Sequence, residues 1–187
     1  MKSIILYRSQ YGSTKQYASW IQEELSSEGV SSQCDSFDNL GKYDMRDYDV
    51  VLVGEGVYAG NFKTPKNLIP IMEKYPEKRY IFFIVGIADM ENQENRKKLY
   101  NDLAKAMGPA IEKTKVFFLR GALDYSKLNF KHGAMMWMLV KYLKRKPEED
   151  LPEDADKLID TYGGKVSFLD KYSIKPLIRC AKEGLSE

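Results

Sequence analysis

Cysteine and histidine are scarce in this chain: Cys34 and Cys180 stand far apart, and His132 is the only histidine among 187 residues. A zinc site needs more such ligands at closer spacing, and a redox pair needs Cys-x-x-Cys, so no metal and no disulfide chemistry are expected. Free thiols fit a reducing cytoplasm. The chain also lacks a continuous apolar run of about 18 residues, which excludes a membrane-spanning helix. An excess of charge of one sign is missing too. Twenty-nine Lys and Arg against 27 Asp and Glu leave a formal charge of +2, which argues against nucleic acid as a partner and against disorder. The first apolar run begins almost at once, leaving no room for a signal peptide, so a cytoplasmic location is expected.

What is present is an alternation of two patterns. Ile4-Ile5-Leu6-Tyr7, Val50-Val51-Leu52-Val53, Tyr80-Ile81-Phe82-Phe83-Ile84-Val85 and Val116-Phe117-Phe118-Leu119 are continuous apolar runs, as strands covered on both faces require. Residues 31–37 alternate loosely, as a half-exposed edge strand does. Tyr17, Ala18, Ile21 and Leu25 recur at helical spacing. Helices are also expected over 65–75, where Pro65 suits the first turn and Pro70 should kink or shorten it, and over 91–107, with Leu99, Leu103 and Ala106 facing inward. Strands alternating with helices imply an α/β fold, a doubly wound parallel sheet with helices on both faces. The length suits one domain, residues 1–187, which can bury roughly 70% of its extended surface. In such sheets ligands lie beyond the carboxyl ends of the strands, so the loops after each apolar run carry the functional expectation.

The first of these loops is Ser9-Gln10-Tyr11-Gly12-Ser13-Thr14. It joins a strand to a helix whose exposed N–H groups and partial positive charge suit a phosphate, with Ser9, Ser13 and Thr14 adding hydroxyls and Gly12 allowing close approach. A Walker A loop is excluded, because Gly12 is followed by Ser13-Thr14-Lys15 and Tyr7 occupies the place of the first glycine. A Rossmann loop is excluded because only one glycine is present. No cation is dedicated to the loop, which favours a monophosphate over a triphosphate with its magnesium.

This loop resembles the phosphate loop of flavodoxins, which holds the monophosphate of FMN. The resemblance implies a flavodoxin-like five-stranded sheet of order 2-1-3-4-5 and FMN as cofactor. It places Ser9, Gln10, Tyr11, Gly12, Ser13 and Thr14 around the phosphate. In Gly54-Glu55-Gly56-Val57-Tyr58-Ala59-Gly60-Asn61-Phe62, it sets Gly56, Val57, Tyr58, Ala59 and Gly60 against the isoalloxazine. A glycine-rich loop with aromatics can stack on a flat ring, and Tyr58 is the candidate, with Phe62 as its substitute. Ile87, Ala88 and Asp89 form the second wall; Asp89 either accepts from the ring or caps the following helix.

Further along, Gly121-Ala122-Leu123-Asp124-Tyr125 precedes an apolar helix starting near Phe130 and containing Met135-Met136-Trp137-Met138-Leu139-Val140. This combination resembles the menaquinone-dependent protoporphyrinogen dehydrogenases, a flavodoxin-like family of haem biosynthesis, over positions 1–146. The resemblance implies an FMN-dependent oxidoreductase taking electrons from a porphyrinogen and passing them to a quinone. Two alternatives belong to other classes: a flavodoxin-type electron shuttle, which is typically acidic, and a flavin-free interaction domain. A family-divergent insertion is expected at about 126–165. Within it comes an acidic run at 148–154, then a short helix through Leu158 and Ile159 and a stop at Gly163-Gly164. Val166-Ser167-Phe168-Leu169 should complete or flank the sheet, and a last helix should start at Ser173. Residues 130–146 hold five cations and no acidic residue around an apolar centre. Either that centre is buried beside the sheet, or the segment docks peripherally on the inner face of a membrane.

Overall fold

The computed structural model describes residues 1–57, 60–147, 149, 151 and 155–183. β1 (Lys2–Arg8) lies inside a parallel sheet, with β2 (Ser31–Ser36) on one side and β3 (Val50–Gly56) on the other; β4 (Arg79–Gly86) and β5 (Thr114–Arg120) follow outward. The order is therefore 2-1-3-4-5, as expected. Its switch point lies between β1 and β3, and flavodoxin is itself a reference case for this topology.

Alternate residues of each strand feed two separate cores. Ile5, Leu52, Ile81 and Phe83 face α1 (Ser13–Ser27) and α6 (Lys175–Lys182), where Tyr17, Ile21, Leu25, Leu177 and Ile178 meet them. Ile4, Leu6, Val51, Val53, Phe82 and Ile84 face α2 (Pro65–Lys74) and α3 (Gln93–Met107), against Leu68, Met72, Leu103 and Met107. Every residue of β3 is buried, and each large apolar side chain so enclosed contributes about 1.5–3 kcal/mol. Gly54 admits the Phe83 ring: a Cβ there would stand 2.1 Å from Phe83 Cζ.

The helices follow the expected pattern with adjustments. α2 keeps to ten residues, with Pro65 in its first turn and Pro70 turned to solvent. In α3 the inward stripe steps by four through Leu99, Leu103 and Met107, which turns Ala106 outward rather than into the core. Val166 and Ser167 do not join the main sheet. Instead β7 (Lys165–Ser167) pairs antiparallel with β6 (Ala122–Asp124) as a separate ribbon, with Leu123 opposite Val166. α4 (Phe130–Leu143) and α5 (Ala155–Asp160) lie between the two ribbon strands in sequence and pack against each other. Of the acidic run, Glu148, Asp150, Pro152, Glu153 and Asp154 lie outside the described residues.

Candidate functional site

The chain leaves β1 at Arg8 and enters α1 at Ser13 through Gly12, whose φ of +99° is a backbone state that favours glycine. The first bond of the helix runs from Gln16 N–H to the Gly12 carbonyl at 2.9 Å, and no side chain caps this end. The N–H groups of Ser13, Thr14 and Lys15 therefore emerge at the carboxyl edge of the sheet, together with the positive end of a fifteen-residue helix. Ser9 Oγ accepts from Gly12 N–H at 3.1 Å, closing the turn. Thr14 is buried. Ser13 presents its amide rather than its hydroxyl, because Ser13 Oγ accepts from Ala122 N–H at 3.0 Å. Gln10 is exposed and donates through Nε2 to Tyr11 Oη at 3.2 Å. The Tyr11 hydroxyl lies 2.6 Å from His132 Nδ1, and the two rings meet edge-on with centroids 5.6 Å apart.

Two loops flank the space beyond. After β3, Val57 donates its N–H to the Val85 carbonyl at 2.9 Å, which draws this loop towards β4. Gly60 takes φ +71°, a backbone state that selects glycine; a Cβ there would stand 2.9 Å from Asp102 Oδ2, the tip of a side chain on α3 that can turn aside. Tyr58 and Ala59 lie outside the described residues. Phe62 turns into the core and meets Phe82 edge-on at 6.0 Å, leaving it unsuited to the stacking role. After β4, Ile87, Ala88 and Asp89 are half-buried. Asp89 Oδ1 accepts from Glu91 N–H at 2.9 Å, whereas the α3 cap is Asn92, which accepts from Glu94 and Asn95 N–H. Asp89 thus shapes the turn before the helix instead of capping it. Val57, Gly60, Gly86, Ile87, Ala88 and Met90 enclose one side of a slot of about 320 Å³ that ends on Leu99 and Asp102 of α3.

Two residues that the sequence reading did not single out hold these loops. Glu55 is 2% exposed, and its carboxylate accepts from Lys63 N–H at 2.7 Å, Thr64 N–H at 3.0 Å and Thr64 Oγ1 at 2.5 Å. It binds both ends of the loop that carries Gly56 to Gly60. The signal was an acidic residue inside an otherwise apolar strand. Arg120, at the end of β5, reaches across to the second wall: Nη2 donates to the Ile87 carbonyl at 3.4 Å and Nη1 stands 3.9 Å from Asp89 Oδ1. Its guanidinium also lies 3.8 Å over the Phe168 ring. The Arg120 carbonyl accepts from Tyr17 Oη at 2.7 Å, and the Tyr17 hydroxyl oxygen in turn accepts from Asp170 N–H at 3.1 Å. Burial, the largest influence, pushes the Tyr17 hydroxyl's pKa up.

A smaller hollow of about 160 Å³ adjoins Gln10 and Glu55, with Arg8, Lys63, Lys131 and His132 on its rim. A larger one, about 990 Å³, lies between residues 40–46 and α2, and no described residue of the loops after β1, β3 or β4 lines it. It is therefore set apart from the converging loops. Cys34 on β2 is partly buried, and burial followed by the charge of Asp35 pushes its thiol up to about 11.

An amide-lined helix start, a narrow apolar slot two loops away, and a 2-1-3-4-5 parallel sheet define a flavodoxin-like α/β protein. The chain belongs to the flavodoxin domain family, whose pattern matches residues 4–150. Among solved structures it is similar to a flavodoxin from the domain Archaea, with 17% identity over 72% of this chain and 90% of that one and a TM-score of 0.42. It is also similar to a flavoprotein in complex with FMN from Lactobacillus acidophilus, with 20% identity over 64% and 91% of the two chains and a TM-score of 0.45. Oxidised flavodoxin 2 from Bacillus cereus matches with 16% identity over 64% and 86%, at a TM-score of 0.36. Among curated protein sequences, none matches this chain.

Proposed function

We propose that this chain binds FMN and works as a redox protein. The observation that carries the reading is the uncapped start of α1, aimed into the same edge of the sheet as the slot between the β3 and β4 loops. The N–H groups of Ser13, Thr14 and Lys15 would hold the phosphate, since hydrogen bonds to a charged group are about twice as strong as neutral ones. Val57, Gly60, Ile87 and Ala88 would enclose the ring and exclude water. Bound FMN would supply the electron chemistry, and the protein its orientation and electrostatics.

The finer reading is an oxidoreductase similar to menaquinone-dependent protoporphyrinogen dehydrogenase, with a porphyrinogen donor and a quinone acceptor. Its support is that the segment bearing the resemblance touches the phosphate loop: Ala122 bonds Ser13, and His132 of α4 bonds Tyr11. Lys63 and Lys131 around the adjoining hollow favour an acidic donor, whereas Arg8 there is paired with Asp38 at 2.6 Å. The test is titration with FMN, followed by anaerobic reduction with porphyrinogen and reoxidation by menaquinone. Turnover is the expected result. Failure to bind FMN overturns the whole reading, while binding without turnover leaves an electron shuttle.

A further inference from the structure

We infer that the outer face of α4 docks the protein on an anionic lipid bilayer. If the apolar centre of this helix were buried beside the sheet, its large side chains would be covered. One side of it is not: Trp137 is 50% exposed and Met138 56%, with Phe130 (94%) and Tyr142 (58%) towards the helix ends, whereas Met135, Met136 and Leu139 are half-buried and Val140 and Leu143 buried. At about 100° per residue, Phe130, Ala134, Trp137, Met138 and Lys141 fall within one outward arc of roughly 100°, with Leu143 on the opposite side and Val140 flanking the arc. This is an apolar face where a solvated helix carries polar residues.

The charge on that face selects the partner. Residues 130–146 contribute Lys131, Lys141, Lys144, Arg145 and Lys146 and no acidic side chain. Lys141 Nζ lies 4.5 Å from the Trp137 ring centroid, and Lys146 Nζ 5.3 Å from that of Tyr142. Aromatics paired with cations beside aliphatic side chains are the composition of a helix lying in the headgroup layer. Beside the helix, Lys141, Lys144 and Arg145 converge with Trp137 and Tyr162 on a groove of about 300 Å³, a cationic recess that suits a phosphate-bearing headgroup. A second copy of this chain is disfavoured as the occupant, because a two-fold contact would set the same cations against one another. Among the described residues no helix is long and apolar enough to cross a membrane, so α4 lies in the interface plane.

The inference does not rest on the flavin assignment, and its test needs no flavin. Co-sedimentation is measured with vesicles of phosphatidylcholine, with and without phosphatidylserine. Binding should require the anionic lipid and fall steeply as salt is raised. At about 1 kcal/mol for each cation near the surface, a Lys141→Gln, Lys144→Gln, Arg145→Gln variant should partition about a hundred-fold less. The three side chains lie on or beside the exposed arc, and circular dichroism checks that the variant folds. Brominated lipid in the anionic vesicles should quench tryptophan emission in the unaltered protein, and the quenching should disappear in Trp137→Phe, which leaves only the half-buried Trp20. Absence of sedimentation with anionic vesicles at low salt overturns the inference. So does equal binding by the triple variant, or a dimer in solution that leaves the vesicles free.

Discussion

The hydroxyl of Tyr11 lies 2.6 Å from Nδ1 of His132, joining the loop after β1 to the first turn of α4 across 121 residues of sequence. Asn129, the cap of α4, donates its N–H to the same hydroxyl at 3.4 Å and receives the His132 N–H on Oδ1 at 2.9 Å. The loop after β1 and the exposed helix are therefore mechanically coupled. A neutral hydrogen bond of this kind contributes about 1 kcal/mol. His132→Ala and Tyr11→Phe should each weaken FMN by roughly three- to ten-fold. Amide hydrogen exchange should accelerate in the first turn of α4 while the melting temperature hardly moves. Loss of global stability in both variants would instead make the pair part of the core.

Selectivity for the phosphate is the second test. Riboflavin offers nothing to the N–H groups at the start of α1, so its affinity should fall at least ten-fold below that of FMN. Gly12→Ala forces a Cβ into a left-handed backbone at a cost of about 1–2 kcal/mol and disturbs the turn that presents those amides. This variant should narrow the gap between the two flavins, as read by fluorescence titration. Equal affinities in the unaltered protein would remove the phosphate assignment.

Glu55 gives a stability prediction. Glu55→Ala leaves the N–H of Lys63 and both donors of Thr64 without their acceptor, and Thr64 is 0% exposed. Each buried donor so stranded costs about 1–3 kcal/mol, so the variant should lose about 3 kcal/mol in urea unfolding. Glu55→Gln keeps one strong acceptor oxygen and should lose less than half of that. If Glu55→Ala unfolds at the same urea concentration, the carboxylate does not hold this loop.

Cys34 should be slow to alkylate. With its thiol pushed up to about 11, only about one molecule in a thousand carries the reactive thiolate at pH 8. Raising the pH favours deprotonation, so the iodoacetamide rate should rise about ten-fold per pH unit and level off near pH 11. Cys34→Ser fixes which thiol is being followed. A rate already level at pH 8 would contradict the burial that raises this thiol.

The parallel α/β sheet was legible in the sequence because its central strands are covered on both faces and read as unbroken apolar runs, Val50 to Val53 and Tyr80 to Val85 most clearly. The strand order came instead from the resemblance of the first loop to that of flavodoxins. The turn at Gly12 was legible because its neighbours contain the few residue types that tolerate such a turn. Side-chain commitments were not. Nothing in the spacing says that the Ser13 hydroxyl turns to Ala122, since that partner is 109 residues away and arrives on a ribbon formed with Lys165, Val166 and Ser167. Phe62 and Ala106 were misplaced for a simpler reason. One residue of rotation separates the two faces of a loop or helix, and local pattern does not fix that phase. The buried Glu55 escaped because its partners belong to the following loop, whose backbone donors are invisible to residue type.

Tyr17 and the last helix bear on where this fold can be divided. The family pattern stops at residue 150, yet Leu177, Ile178 and Ala181 pack among Ile5, Leu25 and Val50, and the Tyr17 hydroxyl receives the Asp170 N–H. A boundary drawn from recurring sequence is therefore not a physical boundary here. A chain cut at 150 would expose the face of α1 and of the sheet that α6 covers, and it should aggregate more readily than the longer chain. The segment outside the shared pattern completes one of the two cores, so any fragment intended to keep the carboxyl edge of the sheet intact has to extend through α6.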